Sequence, residues 1–255
     1  LSPVGGIDYM VWAFVEFSSE GAMRTLFSIL FGAGVVLFVT GSNAKSGWLH
    51  FKRNFWLLVF GLINIYIFLW PGDILITYAL SGFVLWFFRN WSAKSLLILA
   101  TFLIFIGSVQ NFAMKSSLEI ARDIAEEMEI SISKGEDISE ETAEWAQAWI
   151  KYEDDIQAEI DNIPSEIKNR TSNYASAYEH NLEVANEMIY FVVPVFLFLD
   201  ALMMMIVGMA LFKLGILDGG RGIRFYIIMM CIGFLVGLSI NAYEVLLITN
   251  SNMDI

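Results

Sequence analysis

KRNFWLLVFGLINIYIFLWPGDILITYALSGFVLWFFR, residues 52–89, decides how the chain is read. Two apolar runs, Phe55–Trp70 and Ile74–Phe88, meet at Trp70-Pro71-Gly72-Asp73, and basic residues stand at both open ends. Proline cannot continue the incoming helix, and glycine permits the reversal. Apolar runs bounded in this way by charge belong in a bilayer, so residues 54–89 are expected to form a membrane hairpin. Its tip carries one carboxylate, Asp73, where a charge is expensive.

Four more spans are expected around the hairpin, making six. Ala22–Thr40 has Arg24 near its start and Lys45 beyond its end, and its Gly32-Ala33-Gly34 would let a neighbouring helix approach closely. Ser95–Val109, residues 188–212 and Phe225–Ile248 complete the set, the last with Gly233 and Gly237 at GxxxG spacing. Residues 1–20 begin with Pro3, Gly5 and Gly6 and place Asp8 and Glu16 among aromatics, which reads as an interfacial segment. The expected fold is an all-α integral membrane protein in four parts. These are the 1–20 segment, membrane helices over 21–111, an acidic helical insert over 112–187, and membrane helices over 188–250.

Composition supports this reading. Of the 255 residues, 57% are hydrophobic and 16% charged, more apolar surface than a soluble domain of this size carries. A net charge of −12 leaves nothing to neutralise a run of phosphates, so no nucleic-acid partner is expected. The charge is concentrated: residues 115–187 hold 19 of the 27 acids and 6 of the 15 bases. Cys231 is the single cysteine, and His50 and His180 lie in separate polar segments, so neither a disulfide nor a metal site is expected. No cofactor is indicated. The chain starts at Leu1 without a methionine, and we read it as an internal piece of a longer protein.

Orientation follows from the short loops. Lys45, Lys52 and Arg53, then Arg89 and Lys94, then Lys213, Arg221 and Arg224 fall on one side if the spans alternate. The positive-inside rule makes that side cytoplasmic, in a plasma (inner) membrane, with residues 112–187 extracytoplasmic. Within the insert Leu118, Ala121, Ile124 and Met128 keep helical spacing, as do Trp145, Trp149, Tyr152, Ile156, Ile160 and Ile163. Asp137 with Glu140 reads as a capping box opening the second helix. Pro164 is expected to break it, and a third helix carrying Ile167, Tyr174, Tyr178 and Leu182 to run into the next span.

Polar residues within the apolar runs are the candidates for function. From Lys52 to Asp73 a helix would rise about 31 Å, which places Asp73 near the outer interface, level with Arg24 and Glu244. Asp200 would lie about 20 Å above the cytoplasmic side. With Tyr78, Asn64 and Asn241 these residues outline one polar pocket opening outward, with Asp73 and Arg24 as its ion pair. Plainer readings stand beside this one: interfacial Asp73, Arg24 and Glu244 snorkelling to headgroups, Asp200 bonded to a neighbouring helix, and Asn64 as helix–helix glue.

Residues 23–37 (MRTLFSILFGAGVVL), the hairpin, and residues 206–217 (IVGMALFKLGIL) resemble the YeiB-like bacterial membrane proteins. The most specific part is an L-W-x-G-D-I-L-x-x-Y-A-L pattern, met by Leu69, Trp70, Gly72, Asp73, Ile74, Leu75, Tyr78, Ala79 and Leu80. That family has no known function and is related to transmembrane acyltransferases. Its members commonly carry histidine where this chain has Asn64. The resemblance implies acyl transfer to an extracytoplasmic acceptor, with Asp73 as base and Arg24 or Tyr78 as its electrostatic partner. A transporter using Asp200, or a scaffold whose insert docks another subunit, are the alternatives. The lipid bilayer, an acyl donor or small-molecule substrate, and a second copy of the chain are the candidate partners.

Overall fold

The computed structural model describes residues 6–19, 21–40, 46–134 and 139–250. Every regular element among them is helical: α1 (Ile7–Ser19), α2 (Ala22–Thr40), α3 (Ser46–Tyr66), α4 (Leu75–Phe88), α5 (Ala93–Lys134), α6 (Glu140–Ser172), α7 (Tyr174–Glu187), α8 (Phe198–Lys213) and α9 (Ile223–Asn250). A wide-turn π segment, Met188–Leu197, joins α7 to α8. Among the described residues four runs are long and apolar enough to cross a membrane: Tyr9–Phe38, Ala93–Lys134, Tyr174–Lys213 and Ile223–Leu246. The chain is therefore a polytopic membrane protein.

The hairpin helices do not join that group among the described residues. α4 has 14 residues, and α3, with 21, carries His50, Lys52, Arg53 and Asn54 in its first half. α3 ends at Tyr66, short of the turn, so the helical rise from Lys52 is only about 21 Å and not the expected 31 Å. The remaining path to Asp73 is non-helical. The reason is local: Pro71 has no N–H to donate and restricts the residue before it, so the helix unwinds before reaching it.

The contacts divide the chain into two compact units. The first comprises Leu1–Lys52, Ser81–Ala100 and Ala201–Ile255. Its packing is set by glycine. A Cβ on Gly32 would collide with the carbonyl oxygen of Met205, and one on Gly208 with that of Ile29, so α2 and α8 meet backbone to backbone. The small-residue reading thus holds for Gly32, whereas Gly34 has no neighbour within 4 Å. Val35, Val36, Met205, Ile206 and Met209 are buried in this unit. The start of α3 lies on the end of α4: buried His50 bonds the Gly82 carbonyl at 2.9 Å and stacks on Trp86. Lys213 Nζ donates to the carbonyls of Arg89 and Trp91, both at 2.6 Å, so the basic ends of α4 and α8 share a side. α1 runs antiparallel to α9, tied by Tyr9 to Thr249 and by Asn241 to the carbonyl of Phe17.

The second unit comprises Arg53–Leu80 and Thr101–Asp200. Its core is Ile65, Ile76, Ala185 and Val193, with Leu58, Tyr66, Met188, Ile189 and Leu197 packed around them. Gly61 allows α3 to close on α4, since a Cβ there would lie 2.6 Å from Ile76 Cγ1 and 2.9 Å from its backbone nitrogen. α5 runs unbroken through 111–112 for 42 residues, so the first insert helix is its continuation. Pro164 does not end α6, which continues to Ser172. Residues 151–165 are all exposed, so water can take up the carbonyl that the proline leaves without a donor. The break falls at extended Asn173, whose side chain accepts from Ser176 N–H and caps α7. α6 itself is capped by Ser139, accepting from Thr142 N–H at 3.1 Å. Asp137 of the expected capping box lies outside the described residues, as do Pro3, Gly5 and Lys45.

Backbone contact between α2 and α8 makes a sharp test. Gly208→Ala is expected to destabilise the protein by about 1–3 kcal/mol, the usual cost of overpacking. Gly34→Ala, with open space around it, is expected to be neutral or stabilising by up to about 1 kcal/mol. Thermal unfolding of the two variants in detergent separates these outcomes.

Candidate functional site

The site is built where α3 stops. Ile67 N–H still donates to Ile63 O at 2.8 Å, but Phe68 N–H reaches that same oxygen and Trp70 N–H reaches Asn64 O at 3.0 Å. The last turn is thus widened. Leu69 takes a left-handed φ of 57°, held by a side-chain-bearing residue at a cost of about 1–2 kcal/mol. Tyr78 N–H then donates to Ile74 O and opens α4.

Asp73 ties the two sides of the reversal together. Its Oδ2 accepts from Asn64 Nδ2 at 2.8 Å, and its Oδ1 accepts from Leu75 N–H at 3.1 Å. The first bond anchors the loop to α3. The second satisfies an orphan donor at the start of α4, where the helix dipole also favours negative charge. The carboxylate is half-buried.

Bonds between α3 and α7 complete the construction. Asn181 Nδ2 donates to Ile65 O at 2.9 Å, and Tyr174 OH to Ile67 O at 2.8 Å. In the other direction Tyr66 OH donates to Asn186 Oδ1 at 3.0 Å. The bond from Asn181 reaches a last-turn carbonyl of α3, and that from Tyr174 reaches the carbonyl of the residue just beyond the helix. Asn181 is buried, and its Oδ1 has no hydrogen-bond partner. The sequence by itself does not single out Asn181 or Asn186, and it marks Tyr174 only as part of a helical stripe. Polar residues on an amphipathic insert carry no mark of a distant partner.

The structure brings together Asn64 and Asp73 in the second unit, which also holds Tyr78, buried on α4, and half-buried Asp200 in the first turn of α8. Asp200 follows directly on the π segment, whose Pro194 lacks a donor and where Phe198 N–H bonds Val193 O instead. Arg24, Asn241 and Glu244 belong to the first unit. Arg24 and Glu244 are exposed on α2 and α9, and Asn241 is engaged with the carbonyls at the end of α1.

Comparison with known proteins gives two relatives of unassigned role. The chain is 37% identical over 105 residues to the uncharacterized protein YxaH of Bacillus subtilis (strain 168), covering 40% of this chain and 26% of that protein. It is 33% identical over 79 residues to the uncharacterized protein YeiB of Escherichia coli (strain K12), covering 31% of this chain and 19% of that one. The chain thus matches about a quarter or less of the length of these relatives. No family model matches, and no solved structure does.

The bonds at Asp73 predict distinct outcomes for its two simplest replacements. Asp73→Ala removes the cap and leaves Asn64 unpaired, a loss of about 1–3 kcal/mol. Asp73→Asn keeps an acceptor for Leu75 N–H, and a flip of the Asn64 amide restores the other bond, so it should unfold within about 1 kcal/mol of the parent. Denaturation in detergent, followed by circular dichroism, measures both.

Proposed function

We propose that the chain is the membrane part of an enzyme that moves an acyl group onto an extracytoplasmic acceptor. In this reading the hairpin helices bring the spans to six, the basic loops are cytoplasmic, and residues 112–187 stand outside a plasma (inner) membrane. The observation that carries it is Asp73, a half-buried carboxylate fixed at the tip of an apolar hairpin by Asn64 and Leu75 N–H. Each of its oxygens accepts one hydrogen bond and keeps capacity for another. It would take the proton from an acceptor hydroxyl or amine while that atom attacks the acyl carbonyl. Tyr78, in the same unit, would stabilise the oxyanion that forms. Asn64 orients the base. The resemblance of the hairpin to proteins related to acyltransferases supports the same reading.

A second reading, transport of a small molecule, is favoured by one feature. The π segment with Pro194 places irregular backbone immediately before Asp200, and transporters set ion and substrate sites at such interruptions. Asp200 would then carry the coupling proton.

Two variants of the full-length protein in a bacterial host distinguish the readings. Asp73→Asn is expected to lower acyl transfer by about 10²–10⁴-fold, the usual contribution of a general base. Asp200→Asn is expected to leave at least half of it. The readout is the alkali-released acyl content of purified surface polymer. Full transfer by Asp73→Asn, with proton-coupled flux lost in Asp200→Asn, would instead establish the transporter.

A further inference from the structure

α6 is held near both ends and bare in between. Toward its start Ala146 is buried and Trp149 half-buried. Toward its end Glu166 is half-buried, with Arg170 Nη2 at 2.8 Å and His180 Nε2 of α7 at 3.5 Å. Residues 151–165 between them are all exposed. Tyr152, Ile156, Ile160 and Ile163 fall in that stretch at helical spacing and form one stripe, each of them between 37% and 51% exposed. From Tyr152 to Ile163 the stripe rises about 16 Å, three helical turns. At about 100° per residue, Asp155 and Glu159 border one edge of it and Glu153 the other. None of these three acids pairs with a base among the described residues. No base occurs between Lys151 and Lys168.

Apolar anchors that recur in this way suit contact with another helix, and the acidic rims decide which helix fits. A bilayer surface favours basic rims, and anionic headgroups would repel these. A second copy of the chain would bring a rim of the same acids, and like charges oppose that contact. We propose that the middle of α6 docks a basic amphipathic helix of a partner protein. The partner's apolar face meets Tyr152, Ile156, Ile160 and Ile163, and its flanking lysines or arginines pair with Glu153, Asp155 and Glu159. Docking removes four apolar side chains from water and gives three unpaired carboxylates their counter-charge. It does not depend on acyl transfer or transport, nor on which side of the membrane the insert stands.

The test uses the full-length protein in phosphatidylcholine nanodiscs and two synthetic helical peptides as probes. Both peptides carry the same leucine stripe, flanked by lysine in one and by glutamate in the other. Fluorescence anisotropy reads their binding. The lysine peptide is expected to bind about tenfold more tightly, or better. Reversing the rim with Glu153→Lys, Asp155→Lys and Glu159→Lys together should weaken it about tenfold, a few-fold for each exposed pair. The same change of charge on exposed positions of α5, Glu119→Lys with Glu127→Lys and Glu129→Lys, should leave it within about twofold. A photoreactive phenylalanine analogue in place of Ile156, with all the acids intact, should crosslink to the lysine peptide. Equal binding of the two peptides overturns the proposal, as does an effect of the α5 changes equal to that of the α6 changes. Crosslinking to lipid or to a second copy, in place of the peptide, overturns it too.

Discussion

A helix that ends within apolar surroundings must find partners for its last carbonyls, and the second unit depends on that constraint. Each polar backbone group left unsatisfied in hydrocarbon costs several kcal/mol. α3 meets the demand from three sources. Its own backbone supplies the widened final turn, with Phe68 and Trp70 N–H reaching back to Ile63 and Asn64. α7 supplies side-chain donors from Asn181 and Tyr174. Asp73, through Asn64, holds the returning strand against the helix that has just ended. The apolar cluster of Ile65, Ile76, Ala185 and Val193 lies among the same segments, so polar satisfaction and core packing fix the same arrangement. Leu69 bears the cost as a left-handed residue that is not glycine.

This arrangement changes what the acidic insert is for. Its charges lie mainly on exposed helix, as expected of a solvated face. Its uncharged polar residues act differently, because α7 carries Tyr174, Asn181 and Asn186 to the hairpin tip and then continues through the π segment into α8. Deleting the insert would therefore remove part of the hairpin's own hydrogen bonding. A loss of activity on deletion cannot by itself be assigned to a lost docking surface.

How much of this can be read from the residues depends on the range of the interaction. Helix identity and the reversal at Pro71-Gly72 are local, and the apolar runs and turn residues announce them. Gly32 is legible as a place of close approach because it sits in a small-residue patch, but its counterpart Gly208 is not. Gly61 escapes for the same reason: a lone glycine in a greasy helix shows its partner only when the chain folds back. Pro164 misleads, because a helix exposed to water can tolerate a missing bond that a buried one cannot. Sequence spacing overestimates the length of α3, because it counts rise through residues that the turn pulls out of the helix. Asn64 with Asp73 is legible as a pair of polar residues in an apolar run. Their mutual bond is not, since it needs the loop's actual path.

Asp73 can hold the turn together and also act as a base on the proposed reading, and the geometry explains how. A carboxylate that accepts one bond on each oxygen is immobilised without being saturated, and a fixed orientation is what proton transfer at a reacting centre requires. The identity of residue 64 then decides how the chemistry is divided. A histidine at position 64 would bring a ring N–H toward the same carboxylate, and the pair could share the proton. Asparagine keeps the hydrogen bond and cannot titrate. In this chain a proton taken at the hairpin tip would have to rest on Asp73 itself.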